Sequence, residues 1–260
     1  MSPRVPQLPT LSVVIPAHNE AENLLPLTEE IVSVLRSYFE GDGEFELLIV
    51  NDGSTDETVM LEGPLVEEFP MVRMVHHRRN LGYGAALRSG FRAARGAYVG
   101  FIDGDRQLDP ADFIALLEAA GPGRIAMGYR VARQDPFHRR VLGKLFSRVF
   151  VPLILGVNVR DVDCALKIIP RSLLSRIELR ATGALINAEL LAIAAASGCH
   201  FIQLPVSHRP RVSGEQSGAR FSVMAKVFLE LTKVRRQVHE YRAASDETMC
   251  CSPSVSVERV

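Results

Sequence analysis

The stretch VGFIDGDRQLDP, residues 99–110, contains the pattern on which the fold prediction depends. It begins with an apolar run that ends at Ile102, which is typical of a buried β-strand. Three carboxylates, at Asp103, Asp105 and Asp109, follow this run directly. Ligands of open α/β sheets bind outside the carboxyl ends of the strands, so carboxylates at this position indicate a functional site.

Strand-like and helical segments alternate on the amino-terminal side of this stretch and just beyond it. The predicted strands cover residues 11–17, 45–52, 71–77 and 97–103. The predicted helices cover residues 20–39, 55–69, 83–95 and 110–120. Strands joined by helical crossovers predict a Rossmann-like α/β fold, with a mostly parallel sheet and helices on both faces.

The second half of the chain is less regular but continues the same pattern. Strands are predicted at 124–130, 164–170 and 201–208, and helices at 138–155, 183–198 and 219–243. No internal repeat or low-complexity segment divides the chain. We therefore predict a single domain over residues 1–244, followed by a disordered polar tail over 245–260.

The last predicted helix, residues 219–243, is amphipathic. Its apolar side chains recur at helical spacing, at Met224, Val227, Phe228, Leu231, Val234, Val238 and Tyr241. Basic residues outnumber acidic ones around it, which suits a helix lying on an anionic membrane surface. Docking of the same face on the domain is the alternative interpretation, and an exposed apolar face would also permit a homodimer.

Composition restricts the class of protein. The 260 residues carry 30 Lys+Arg and 30 Asp+Glu, and a formal net charge of zero argues against bulk binding of nucleic acid. The four cysteines show no metal-ligand spacing, which favours reduced thiols in a cytoplasmic protein. The longest apolar stretch, residues 149–159, falls short of the roughly 20 residues of a transmembrane span. We expect any membrane contact to be peripheral, at the inner face.

The first two predicted strands also end in polar residues. The first crossover carries Pro16, Ala17, Asn19 and Glu20 where a dinucleotide-binding fold would place G-x-G-x-x-G, so a nicotinamide or flavin enzyme is not indicated. Asp52 ends the second strand, where a carboxylate suits a ribose hydroxyl or a base N–H. Ser54 or Thr55 then caps the following helix in this interpretation.

Asp103 and Asp105 have the spacing of a metal site. Extended residues two apart point the same way, so their carboxylates can converge, and they repel unless a cation lies between them. Oxygen ligands favour Mg²⁺ or Mn²⁺, and Gln107 offers a further carbonyl oxygen. Asp109 precedes Pro110 and is better interpreted as a helix N-cap.

Four stretches together carry a family resemblance: VVIPAHNEAENL, IVNDGSTDET, NLGYGAALRSGFRAARGAYVGFIDGDRQLDP and RDVDCALKIIPR. In this order, within residues 10–215, they resemble the family-2 glycosyltransferases of GT-A fold. The most similar subgroup is the polyprenol-phosphate sugar transferases, which includes dolichol-phosphate mannose synthase. The resemblance implies a UDP- or GDP-sugar donor, a divalent metal and an inverting single displacement onto polyprenyl phosphate.

The resemblance also implies site residues. The nucleotide pocket would be lined by Pro16, Ala17, Asn19, Glu20 and Asp52, and the metal and donor diphosphate held by Asp103, Asp105 and Gln107. A basic loop over residues 208–222, with Arg209 and Arg211, would close over the diphosphate. Asp161 would be the carboxylate near the reacting centre, with Asp163 as the alternative.

The acceptor side carries basic residues. Arg130 ends a predicted strand, and Arg140 and Lys144 lie four apart on one face of the next helix, which suits an acceptor phosphate. A solvated basic helix face is the alternative. A phosphate acceptor needs no strong base, whereas a hydroxyl on another lipid or a soluble acceptor would require Asp161 or Asp163 as a general base. A nucleotidyltransferase and a non-catalytic binding module remain further alternatives.

Overall fold

The computed structural model describes residues 8–131, 141, 143–210 and 230–242. Several sequence predictions lie outside these residues. They concern Arg140, Arg211, the beginning of the 138–155 helix, the beginning of the 219–243 helix and the tail over 245–260.

Seven strands form one sheet at the centre of the described chain. They are β1 (Leu11–Ala17), β2 (Phe45–Asn51), β3 (Val72–His76), β4 (Tyr98–Phe101), β5 (Arg124–Arg130), β6 (Lys167–Pro170) and β7 (His200–Val206). Their order is β3-β2-β1-β4-β6-β5-β7. Only the short β6 runs antiparallel to its neighbours, β4 and β5. The predicted mostly parallel α/β sheet is therefore confirmed.

The described helices lie between successive strands, except the last, which follows β7. They are α1 (Ala21–Tyr38), α2 (Glu62–Glu68), α3 (Tyr83–Ala93), α4 (Asp112–Ala119), α5 (Val151–Leu155), α6 (Arg171–Leu174), α7 (Ile186–Ala196) and α8 (230–242). A π-helical turn, Phe146–Phe150, leads directly into α5. All seven residues of β1 and of β2 are buried, because helices cover both faces of a parallel sheet.

The sheet topology places a crevice at one edge. β1 pairs in parallel with β2 on one side and with β4 on the other, so the chain leaves β1 in one direction and later returns on its opposite side. Such a reversal of strand order leaves an open crevice outside the carboxyl ends of the strands. Asp52, Asp103 and the loop after β1 all follow these strand ends.

The predicted helix over 55–69 is wrong in detail. A 3₁₀ turn, Glu57–Met60, comes first, and α2 begins only at Glu62. Asp56 is the N-cap, because its carboxylate accepts the N–H of Thr58 at 3.1 Å. The hydroxyl of Ser54, a predicted cap, instead accepts the N–H of Asn19 in the neighbouring loop.

The described part of the last helix, α8, docks on the domain. Three of its apolar side chains are buried, at Leu231, Val234 and Val238. Gln237 donates to the carbonyl oxygen of Glu178 at 2.6 Å, which fixes the helix to the segment after α6. This apolar face is therefore unavailable to a membrane in residues 230–242, which corrects the membrane-surface interpretation for that part. Among the described residues, no helix is long and apolar enough to cross a membrane.

Candidate active site

A cavity of about 570 Å³ opens at the carboxyl ends of β1, β2 and β4. Eight of the residues predicted for the site line it: Pro16, Ala17, Asn19, Glu20, Asp52, Asp103, Asp105 and Asp163. They come from four separate segments of the chain, so the fold brings together residues that are more than 140 positions apart. These eight residues therefore share one cavity wall, and the roles predicted for them stay predictions.

The loop after β1 is fixed to the loop after β2 by side-chain hydrogen bonds. Asn19 adopts a left-handed backbone conformation with φ of 57°, which Asn tolerates better than most residues. Its side-chain oxygen accepts the N–H of Thr55 at 2.9 Å. The N–H of Glu20 donates to the hydroxyl of Thr58 at 3.0 Å. The two loops therefore form one continuous wall of the cavity.

Asp52 is buried and has most of its acceptor capacity in use. Its Oδ1 accepts the N–H of Leu81 at 2.9 Å and lies 2.6 Å from Nδ1 of His77. Its Oδ2 accepts the N–H of Gly82 at 2.8 Å. Asp52 thus holds the loop that leads into α3, and through that loop it shapes the cavity. The predicted contact with a ribose or a base stays a prediction.

Asp103 differs from Asp52 in having an oxygen without a partner. Its Oδ1 is buried and makes no hydrogen bond to the described residues. Burial and the neighbouring charge of Asp105 raise the pKa of Asp103 to about 7. The Tyr83 side chain hydrogen-bonds its carboxylate. A bound cation would relieve both the desolvation and the repulsion, which is the signature expected of a metal ligand.

The donor set fits a divalent cation that shares its coordination with substrate. Asp103 and Asp105 both line the cavity, but no group of three or more Asp, Glu, His or Cys side chains among the described residues forms a complete cage. Mg²⁺ in particular keeps waters and takes further ligands from substrate phosphates. Gln107 contributes differently from the prediction: its side chain is absent from the cavity lining, while its N–H donates to Asp105 at 3.1 Å.

The two acidic candidates near the acceptor side have different surroundings. Asp161 forms a bidentate ion pair with Arg130, with N–O distances of 2.8 and 2.9 Å. Neither member of this pair lines the cavity, whereas Asp163 does. The predicted preference for Asp161 over Asp163 is therefore not supported by the geometry, because the Asp161 charge is already matched by Arg130. Lys144 is exposed on its helix.

Arg209, predicted to contact the diphosphate, is held by two carboxylates. It pairs with Glu30 and with Asp109, each at 2.7 Å. Its backbone N–H donates to the carbonyl oxygen of Gln107 at 2.7 Å. The first residues of the predicted basic loop therefore lie beside the Asp-x-Asp turn, although Arg209 itself does not line the cavity.

Comparison with known proteins decides the family. Residues 12–177 match the family model described as glycosyl transferase family 2. The chain belongs to glycosyl transferase family 2. The resemblance predicted from its motifs is thereby confirmed.

Two curated relatives and one solved structure illustrate the similarity of this glycosyl transferase. It is 32% identical over 172 residues to dodecaprenyl-phosphate galacturonate synthase of Rhizobium johnstonii, covering 65% of this chain and 50% of that protein. It is 31% identical over 237 residues to dolichyl-phosphate beta-glucosyltransferase ALG5A of Trichomonas vaginalis, covering 86% and 72%. The chain thus spans only half the length of the first relative.

The solved structure is glucosyl-3-phosphoglycerate synthase from Mycobacterium tuberculosis in complex with Mn²⁺, uridine diphosphate and glucosyl-3-phosphoglycerate. It superposes with a TM-score of 0.58 at 22% identity, covering 90% of this chain and 78% of that one. At this level of identity the likeness supports the GT-A-like fold of the glycosyl transferase and no more.

Sequence reasoning missed a buried network behind Asp103 of the glycosyl transferase. The Tyr83 hydroxyl hydrogen-bonds both Asp103 and Asn187. Asn187 in turn accepts a hydrogen bond from Lys167 at 3.0 Å. Lys167 is fully buried and also donates to the carbonyl oxygens of Val162 and Cys164.

This network connects Asp103 to the loop that carries Asp163. Burial lowers the pKa of Lys167, while nearby acidic groups oppose that effect. Tyr83 and Asn187 stand in ordinary helical patterns, and no motif spacing marks them. Lys167 lies in the stretch RDVDCALKIIPR, but the family resemblance implied no role for it.

Proposed function

We propose that this chain transfers a sugar from a UDP- or GDP-sugar to a polyprenyl phosphate. The observation that carries the proposal is the unpartnered, buried oxygen of Asp103 in a cavity at the β1–β4 crevice of a family-2 glycosyl transferase. Both relatives are named for a polyprenyl phosphate, dodecaprenyl phosphate in one and dolichyl phosphate in the other, which supports this class of acceptor.

Asp103 and Asp105 would hold Mg²⁺ or Mn²⁺ in this proposal. When bound, such a cation offsets the negative charge that develops on the departing nucleoside diphosphate. Pro16, Ala17, Asn19 and Glu20 would line the nucleotide part of the cavity, with Asp52 holding its floor. Gln107 supports this arrangement through its backbone contact with Asp105. Arg209 and Arg211 would contact the diphosphate. For Arg209, this contact requires its ion pairs with Glu30 and Asp109 to rearrange first.

Asp163 is our candidate for the carboxylate next to the reacting centre, because it lines the cavity. The Arg130–Asp161 pair would organise the acceptor side, with Arg140 and Lys144 as further contacts for the acceptor phosphate. A phosphate monoester with a second pKa near 6 is largely ionised at neutral pH and requires no general base. Positioning of acceptor and donor would then supply most of the rate.

The donor half is tested by thermal unfolding with a panel of UDP- and GDP-sugars, with Mg²⁺, Mn²⁺ or a chelator. A ligand that binds only the folded state at 100 times its Kd stabilises it by ~2.7 kcal/mol. We expect a metal-dependent shift with one nucleotide class, lost in Asp105→Asn. Asp42→Asn is the control, because Asp42 is an exposed aspartate that pairs with Arg36 and does not line the cavity.

The acceptor half is tested by transfer of labelled sugar to polyprenyl phosphate and to the matching polyprenol. Product with the phosphate alone supports the proposal. Product with the free hydroxyl would instead favour the alternative of a hydroxyl acceptor and a general base. Absence of any metal-dependent thermal shift would contradict the donor assignment, whatever the acceptor.

A further inference from the structure

A row of exposed apolar side chains lies on the helical segment before and within α5. The exposed fraction of Leu153 is 77%, and those of Val141, Leu145 and Val149 lie between 41% and 49%. Side chains four apart lie on adjacent turns of one helix face. We call these four residues the apolar row. Large exposed apolar side chains elsewhere in the described chain include Met60 and Val66, which form no comparable row.

The opposite side of this segment is firmly attached to the domain. Ser147, Val151 and Leu155 are buried. The hydroxyl of Ser147 accepts the N–H of Val162 at 3.1 Å. Val162 stands between Asp161 and Asp163, so the segment that exposes the apolar row also holds the loop of the proposed reacting centre.

The charged side chains within residues 141–160 are all basic. Residues 141–160 contain Lys144, Arg148 and Arg160 and no Asp or Glu, although the whole chain has no net charge. Lys144 and Arg148 are exposed, on the same segment as the row. An apolar helix face flanked by basic side chains is the pattern of helices that lie in the interface of an anionic membrane.

We propose that the apolar row and its basic flank form a surface that docks this protein on an anionic lipid bilayer. This surface differs from the one predicted on the 219–243 helix, whose described apolar side chains are buried against the domain. A helix with its side chains is about 10–12 Å across, so lipid headgroups would lie roughly one helix diameter from the Val162 loop. A lipid-linked acceptor would then meet the cavity without leaving the membrane surface.

A second copy of the chain fits this surface less well. In a two-fold dimer the same patch faces itself, so Lys144 and Arg148 would approach their own counterparts without acidic partners. Like charges placed opposite each other at an interface oppose association. Anionic lipid headgroups neutralise the same side chains, and this charge complementarity favours a lipid surface.

The test is cosedimentation of the purified full chain with vesicles of phosphatidylcholine, alone or with added phosphatidylglycerol. We expect binding to the anionic vesicles, weakened by roughly tenfold or more in Leu145→Ser/Leu153→Ser, which removes apolar contact from the row. Arg148→Glu should weaken binding to anionic vesicles by about fivefold or more, with little effect on phosphatidylcholine alone. Met60→Ser/Val66→Ser is the matched control, because both side chains are exposed outside the row.

Two outcomes would overturn the proposal: absence of binding by the wild type, or wild-type binding by Leu145→Ser/Leu153→Ser. Light scattering tests a third outcome that would overturn the proposal. If the wild type is a dimer that binds no vesicles, and Leu145→Ser/Leu153→Ser is a monomer, a second copy of the chain is the occupant. The assay contains neither donor nor acceptor, so its result is independent of the transfer reaction. The nucleotide-dependent thermal shift of the same variant should be unchanged, which separates loss of docking from loss of fold.

Discussion

Asp103→Asn should stabilise the metal-free protein, and the gain should depend on pH. The folded state raises the pKa of Asp103 from 3.8 to about 7, so it prefers the protonated carboxyl. The stabilising contribution of that proton is complete below the unfolded pKa and is lost as the pH rises through the folded pKa. Each pKa unit corresponds to ~1.4 kcal/mol, so the buried charge costs the folded protein up to ~4 kcal/mol above about pH 8. Asparagine has the same shape and no charge, so it removes this cost.

The assay is urea unfolding in the presence of a chelator, from about pH 4 to about pH 8. The variant and the wild type should have nearly equal free energies of unfolding at the acidic end, and the variant should be the more stable at the alkaline end. Asp52→Asn is the matched control, since Asp52 is also a buried aspartate after a strand but accepts hydrogen bonds from the N–H groups of Leu81 and Gly82. Its loss should cost roughly 1–3 kcal/mol.

Added Mg²⁺ or Mn²⁺ should reverse the order of Asp103→Asn and the wild type. A cation bound to the folded state stabilises the wild type by mass action, and the variant lacks one of its two proposed carboxylate ligands. The reasoning is refuted if Asp103→Asn destabilises the metal-free protein at alkaline pH as Asp52→Asn does. Asp103 would then be an ordinary structural residue.

Three further changes test other parts of the structure. Lys167→Met leaves three buried acceptors without their donor. It should lower the free energy of unfolding, measured in urea, by roughly 3 kcal/mol or more. Unchanged stability would contradict the buried network. Burial raises the pKa of Glu30, but hydrogen bonds from Arg106 and Arg209 outweigh this effect and lower that pKa overall. In urea unfolding, Glu30→Gln should therefore be less stable than the wild type at neutral pH. The two should become equal in stability once acid protonates the wild-type carboxylate. Asp163→Asn should reduce transfer to a phosphate acceptor by less than the factor of about 10²–10⁴ expected of a lost general base, as measured by kcat.

The central strands β1 and β2 were predictable because all of their residues are buried, so each appears as a nearly continuous apolar run. The difference in hydrogen bonding between Asp52 and Asp103 was not predictable, since each simply follows an apolar run. Asp52 is satisfied by the N–H groups of Leu81 and Gly82, about 30 residues further along the chain. Asp103 keeps an oxygen without a partner. Only the tertiary structure shows which carboxylate has spare capacity for a ligand.

Tertiary structure also decides the difference between the two amphipathic helical segments, residues 141–155 and 219–243. Both show apolar side chains at helical spacing beside basic ones, but only residues 219–243 were predicted to lie on a membrane. In the fold, Leu231 and Val234 of that helix are buried, while Leu145 and Leu153 of the other segment stay exposed. Periodicity shows that a helix has an apolar face, but the remainder of the fold decides whether that face is already covered.

The Arg130–Asp161 pair connects the geometry to the choice of acceptor. A general base must offer a lone pair to the acceptor proton, yet both Asp161 oxygens accept hydrogen bonds from Arg130 in a largely buried pair. Separating such a pair is costly, because each charge would be left desolvated and unpaired. A hydroxyl acceptor would therefore depend on Asp163 alone, whereas an ionised phosphate needs no base on this side of the cavity. Under the proposed function, an Asp161 charge that is already matched by Arg130 is compatible with a phosphate acceptor, and a hydroxyl acceptor would be the harder substrate.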